Sequence, residues 1–233
     1  MFFFMTRPLC VRNCHSGFVI KKESGVRPLV LVLLGRSGCG KSTIAGKLIE
    51  KYGYVQVKTC TTRDRREGES KDAYHFMTRE EFQEHIRADD FVEFDTYGDN
   101  LYGLLKSSLV SDENIVCAIT PEGAAAIKKL FPDAFVVHVD VSMKTSVMRA
   151  IAREKELDPG KMDRISVRAT QDYYLFDNPD CDFVLANPDG ARLDDVVRIC
   201  AEAHEKYMIK LVLNGVTDTL RECIRDLEEK KNV

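Results

Sequence analysis

The chain has 233 residues, 44% hydrophobic and 30% charged, enough apolar side chain for the core of one α/β domain with small insertions. A formal charge of -3, from 34 basic and 37 acidic residues, argues against a nucleic-acid binder that works by bulk electrostatics but is compatible with a local phosphate pocket. The eight cysteines are scattered, several in apolar runs, and read as reduced thiols of a cytoplasmic protein. Cys10, Cys14 and His15 lack a second ligand pair at zinc-finger spacing, so no metal is expected there.

In chain order, the N-terminal MFFFMTRP is too short an apolar patch to span a bilayer or form a signal-peptide core, and no other stretch is long enough, so no membrane association is expected. Residues 1–27 lack periodicity and are predicted to be a loose arm. Residues 29–34 (LVLVLL) form the continuous apolar run of a buried parallel strand. A helix is predicted over 41–52, with Ile44, Leu48 and Ile49 on one face, and a strand over 54–58. The stretch 59–76, rich in arginine and threonine, has no helix pattern and reads as a functional loop or small sheet. Thr78 and Glu81 form a capping-box signature for a helix reaching Ile86. Strands follow at 114–119, 134–140 and 182–186, with helices at 121–130, 142–157, 161–176 and 192–207. Strands alternating with helices imply an α/β fold, a parallel sheet flanked by helices. In the tail, 208–233, Leu220, Cys223, Ile224 and Leu227 have helical spacing; they predict a helix that packs on the same domain or makes a dimer contact, so the chain is read as monomer or homodimer.

Gly35-Arg36-Ser37-Gly38-Cys39-Gly40-Lys41-Ser42 matches G-x-x-x-x-G-K-[ST] between the apolar strand and the helix, the context that makes it a phosphate-binding loop. Glycines let successive N–H groups turn inward toward phosphate oxygens, and the helix N-terminus adds partial positive charge. Gly35, Ser37, Gly38, Cys39, Gly40, Lys41, Ser42 and Thr43 are therefore the candidate ATP-binding residues. Lys41 is expected at the β- and γ-phosphates and Ser42 on Mg²⁺. Cys39 reads as a small residue in the loop.

Beyond the loop, Thr59-Cys60-Thr61-Thr62-Arg63 is followed by Arg66, Gly68, Glu69, Tyr74 and Phe76, then Phe91-Val92-Glu93 and Asn100-Leu101-Tyr102-Gly103. This ordered series resembles the guanylate kinase family, with its TTR-x-x-R-x-G-E segment, Y-x-F pair, F-[IV]-E step and N-x-YG turn. The resemblance implies a P-loop kinase domain over 28–207, a nucleoside-monophosphate-binding insertion at about 59–112 and a helical lid at about 148–170. It implies ATP and Mg²⁺ as cofactors and a nucleoside monophosphate as substrate. Arg63, Arg66, Tyr74 and Tyr102 suit a phosphate dianion, as two forked cations and two hydroxyl donors. By resemblance, Glu69 and Gly103 join this set and Glu93 reads the guanine edge beside Thr59, where the family often has serine. Arg149, Arg153 and Arg168 match the lid arginines that clamp the transferred phosphoryl group, Arg164 is a further candidate, and Asn187 lies where the family places an asparagine near adenine.

The sequence departs from the family in three places. Ala118 and Thr120 stand where the family has D-x-D, Leu104 replaces a serine or threonine, and one residue is missing between Glu69 and Tyr74. Thr120 is retained as a candidate substrate contact. Three functions are compatible: transfer from ATP to GMP or dGMP, a kinase of the same architecture with another phosphorylated acceptor, and a binding module without catalysis.

Overall fold

A computed structural model describes residues 10–14, 17–21, 29–65, 67–97, 99–109, 111, 113–154 and 156–231. Where a loose arm is expected, β1 (Cys10–Cys14) and β2 (Gly17–Lys21) instead pair antiparallel, with Cys14 opposite Gly17. The β-branched Val11, Val19 and Ile20 suit extended backbone, but strands this short leave little periodicity to read.

The chain then runs through β3 (Val30–Leu34), α1 (Lys41–Tyr52) and β4 (Val55–Gln56) into an insertion. The insertion comprises β5 (Cys60–Thr61), β6 (His75–Phe76), α2 (Arg79–Arg87), β7 (Phe91–Tyr97) and β8 (Asn100–Leu105). Then come β9 (Ile115–Ala118), α3 (Pro121–Leu130), β10 (Phe135–Asp140), α4 (Met143–Ala152), α5 (Pro159–Leu175), β11 (Phe183–Ala186) and α6 (Leu193–Lys231).

Five parallel strands form the main sheet in the order β11-β10-β3-β9-β4. All of β3 is buried because both faces are covered. Leu31 and Leu33 pack with Ile44, Leu48, Val197 and Cys200 of α1 and α6; Val30, Val32 and Leu34 pack with Ala124 and Ile127 of α3. Leu33 lies opposite Ala118, and the Ile119 N–H donates to Leu33 O at 3.3 Å. Strand neighbours lie about 4.8 Å apart, so the loop leaving β3 and the residues leading into α3 run side by side.

The insertion is a four-stranded sheet, β6-β5-β8-β7, with its own small core of Cys60, Phe82, Phe91 and Leu101. Thr78 caps α2 with the expected reciprocal bonds to Glu81. The β7–β8 pairing slips between Phe91, opposite Leu105, and Glu93, opposite Leu104; Val92 is the extra residue of a bulge.

Two helices depart from expectation. α4 ends at Ala152, not 157, because Asp158 caps α5 and Pro159 opens it, so the residues between leave the helix. α6 continues unbroken to Lys231, with Gly215 and no proline, and its outer half does not pack on the domain: Ile209, Val212, Leu213, Val216, Leu220 and Ile224 are all exposed. No helix among the described residues is long and apolar enough to cross a membrane.

Candidate active site

The loop 35–42 joins the carboxyl end of β3 to α1. Gly35, Gly38 and Gly40 have φ of 143°, 86° and 104°, which side-chain-bearing residues rarely adopt. Gly38 has a second reason to lack a side chain: a Cβ there would lie 2.5 Å from Ser146 O of α4. Ser146 Oγ donates to Ser37 O at 2.6 Å, and Asn187 Nδ2 donates to Cys39 O at 2.8 Å. Cys39 is fully buried in the main core, as its reading as a small residue anticipates. Gly40 caps α1 without a side-chain hydrogen bond, and no acidic residue occupies the first turn of the helix to meet its dipole. Ser42 and Thr43 are exposed on this first turn. Lys41 folds back, its Nζ donating to Gly35 O and Arg36 O. Burial lowers its pKa, opposed by the charges of Cys39 and Asp172.

Asp172 of α5, 1% exposed, accepts from the Ser37 N–H at 2.6 Å and pairs with Arg168 Nε at 3.0 Å. Arg168 thereby lies beside the loop, close enough for its charge to act on Lys41. Arg149 turns to the other side: Nη2 donates to Asn187 O and Pro188 O at 3.1 and 3.3 Å and pairs with Asp189 at 3.4 Å. Arg153 is exposed at the C-cap of α4, and Arg164 is exposed on α5. The three lid arginines thus do not converge. Arg153, four residues after Arg149, is the C-cap of α4 and still has helical backbone angles, φ -80° and ψ -18°.

In the insertion, Arg63 is sandwiched near the Tyr74 and Phe76 rings, 5.5 and 5.7 Å from their centroids. Its Nη2 reaches both oxygens of Glu69, at 2.8 and 3.0 Å. Tyr74 and Tyr102 meet edge to face at 6.4 Å. These four residues are brought together, whereas Arg66 lies outside the described residues. Thr59 is half-buried just before β5. Gly103 serves packing: a Cβ would lie 2.7 Å from the Phe91 ring and 3.0 Å from that of Phe82. Leu104, fully buried, packs with Val57, Leu109 and Ile119, so a hydroxyl at this position would sit among apolar neighbours.

Glu93 points at the first turn of α3, where a Cβ on Gly123 would come within 3.0 Å of its carboxyl carbon. Burial, with the charges of Asp95 and Glu122 adding to it, pushes its pKa up to about 7. Thr120, expected as a substrate contact, caps α3 by accepting from the Gly123 N–H at 3.1 Å. The sequence reading missed Asp172, Ser146 and Gly123. Only Asp172 left a signal, its i,i+4 spacing from Arg168.

Comparison with known proteins agrees with this geometry. The guanylate kinase family model matches residues 27–207. A guanylate kinase of Clostridium perfringens (strain SM101) is 37% identical over 146 residues, 59% of this chain and 67% of that protein. One of Prochlorococcus marinus (strain NATL2A) is 32% identical over 165 residues, covering 68% and 87%. The crystal structure of guanylate kinase from Anaplasma phagocytophilum superposes with a TM-score of 0.56 at 21% identity, covering 78% of this chain and 87% of that one, and so shares the fold. The chain belongs to the guanylate kinase family.

Proposed function

We propose that the chain transfers the γ-phosphoryl group of ATP in line to GMP or dGMP, with Mg²⁺, in the cytoplasm. One observation carries this reading: Glu93, Gly123 and Thr120 lie at the carboxyl end of β9, beside the phosphate loop at the carboxyl end of β3. An acceptor whose base rests on Glu93 therefore lies next to the donor phosphates. Guanine offers N1–H and N2–H side by side to a carboxylate, and Glu93 is the carboxylate held for them; a Thr59 hydroxyl would serve O6.

Lys41 would exchange its loop carbonyls for the β- and γ-phosphates. Mg²⁺ neutralises developing charge when bound; Ser42 would supply one oxygen, the phosphates and water the rest, which suits an ion that keeps several waters. Arg63, fixed by Glu69 and its two aromatic neighbours, would orient the acceptor phosphate with Arg66, Tyr74 and Tyr102. Arg168 would stabilise the transferring group from the Asp172 side, with Arg149 and Arg153 contributing from α4. Asn187, which braces the loop through Cys39, would sit near the adenine.

The test is ATP consumption with GMP, dGMP, AMP and UMP, for wild type and Glu93→Gln. Wild type should prefer the guanine nucleotides. The variant places a donor opposite a guanine N–H, and the unsatisfied group, at ~1–3 kcal/mol, should lower GMP efficiency about tenfold or more. Indifference of wild type to GMP, or unchanged GMP turnover in the variant, transfers the assignment to a kinase with another phosphorylated acceptor.

A further inference from the structure

The outer half of α6 carries a pattern that the kinase reading does not use. Ile209, Leu213, Val216, Leu220 and Cys223 follow one another at intervals of 4, 3, 4 and 3 residues, the a/d spacing of a heptad repeat. In this register Leu213 and Leu220 are a positions; Ile209, Val216 and Cys223 are d positions. Apart from Cys223 these residues are 52–60% exposed, on a helix whose first turns bury Val196, Val197, Cys200 and Ala201 in the main core.

The charges agree with the register. From 209 to 225 the charged residues are Lys210, at an e position near the start of the seam, and Asp218, Arg221, Glu222 and Arg225, which all occupy b, c or f positions, facing away from it. Beyond Lys210, the flanking e and g positions are Val212, Thr217, Thr219 and Ile224. Both threonine hydroxyls are spent within the helix, donating to Leu213 O at 2.9 Å and Gly215 O at 3.0 Å. The flanks therefore present methyl groups. A helix with Gly215 and four β-branched residues between 212 and 219 is poorly stabilised by its own propensity in water, and burial of this face would supply what is lacking.

We propose that residues 209–225 of α6 form a coiled-coil seam joining four copies of this chain. A seam of this period is complementary to another copy of itself. Leucine at a with β-branched residues at d favours assemblies beyond the two-stranded coil. From 212 onward the uncharged e and g flanks point the same way, since a two-stranded coil leaves those positions at its edge while a four-stranded one covers them.

Sedimentation equilibrium of the full chain tests this. One chain weighs 26.4 kDa, so the expected particle is four times that, about 106 kDa. Val216→Asp with Leu220→Asp should reduce the mass fourfold, whereas Asp218→Lys, at an f position, should leave it unchanged. Should the double variant lose helicity in the domain itself, Ile224→Lys at an e position gives the same reading with one charge, and it should dissociate a four-stranded coil. A wild-type particle of 26.4 kDa, or a double variant that remains fully assembled, overturns the seam; a two-chain particle overturns the four-stranded assignment.

Discussion

Gly38 has its backbone pressed against that of α4, with no room for a methyl group, while Arg63 in the inserted sheet lies near two aromatic rings and is paired to Glu69. The donor loop is held by backbone packing, by hydrogen bonds that Ser146 and Asn187 donate to it, and by the one that Asp172 accepts from Ser37 N–H. The acceptor side is held by the Arg63–Glu69 ion pair and by rings that meet edge to face. Packed backbone cannot change partners by rotating a side chain, but a guanidinium can exchange one anion for another. The loop is thus shaped in advance, and the acceptor side is where a ligand redistributes contacts.

The largest expected effect attacks the loop through Lys41, the cation that its carbonyls hold. Lys41→Ala should cut phosphoryl transfer by ~100-fold or more, the range for removing a single group that stabilises developing charge. Its melting temperature should not fall, because a buried ammonium with a lowered pKa adds little to stability. Turnover above a tenth of wild type would remove Lys41 from the chemistry. Next, Arg63→Ala should weaken acceptor binding by ~2–5 kcal/mol and leave ATP binding nearly unchanged, since it removes a guanidinium of the acceptor side and nothing of the loop. Equal losses in both, measured by calorimetry, would mean the two regions are not independent.

A subtler change separates position from charge. Gly123→Ala places a Cβ about 2.5 Å from Ile119 and 3.0 Å from the Glu93 carboxyl carbon. Alanine favours helix over glycine by ~1 kcal/mol, which offsets part of the overpacking. We expect a folded enzyme with acceptor KM raised about tenfold and ATP KM unaltered; steady-state kinetics against each substrate decide it, and an unchanged acceptor KM means that Glu93 does not depend on Gly123 for its position.

The smallest effect is one of pH. Glu93 has a folded-state pKa of about 7, above its ordinary 4.5, so between these values the folded chain binds more protons than the unfolded one. Its contribution to stability therefore falls as pH rises through that window. Glu93→Gln should be more stable than wild type at pH 8, by on the order of 1–3 kcal/mol, and equal to it below about pH 4.5. Urea melts at three pH values would reveal the gap, and a constant difference at every pH would attribute it to packing.

The main sheet was legible because its strands are continuous apolar runs and its helices carry local signals such as Pro121, and α2 of the insertion was legible from Thr78 with Glu81. The loop was legible because three glycines and a lysine at fixed spacing leave few alternatives. Other features depend on partners remote in sequence. Ser146 touches Ser37 across 109 positions, and Asn187 touches Cys39 across 148; neither contact leaves a periodic trace. The end of α4 could have been read from Asp158-Pro159, whereas the continuation of α6 follows from the lack of any stop signal, which is harder to weigh.

The bulge at Val92 has a consequence that concerns counting. Strand residues alternate sides, so Phe91 and Glu93, two apart, would face the same way in an unbroken strand. Instead Phe91 and Phe94, three apart, lie on one side, the half-exposed Phe94 ring resting against Phe91 and Phe82 at the edge of the small core, and Glu93 faces α3. The extra residue reverses the parity of everything after it. What this site requires of β7 is therefore an even or odd count and not a length. Deleting Val92 would turn the strand regular and keep Glu93 toward α3, but straightening the strand with Val92 retained would turn Glu93 into the aromatic core and offer Phe94 to the acceptor base.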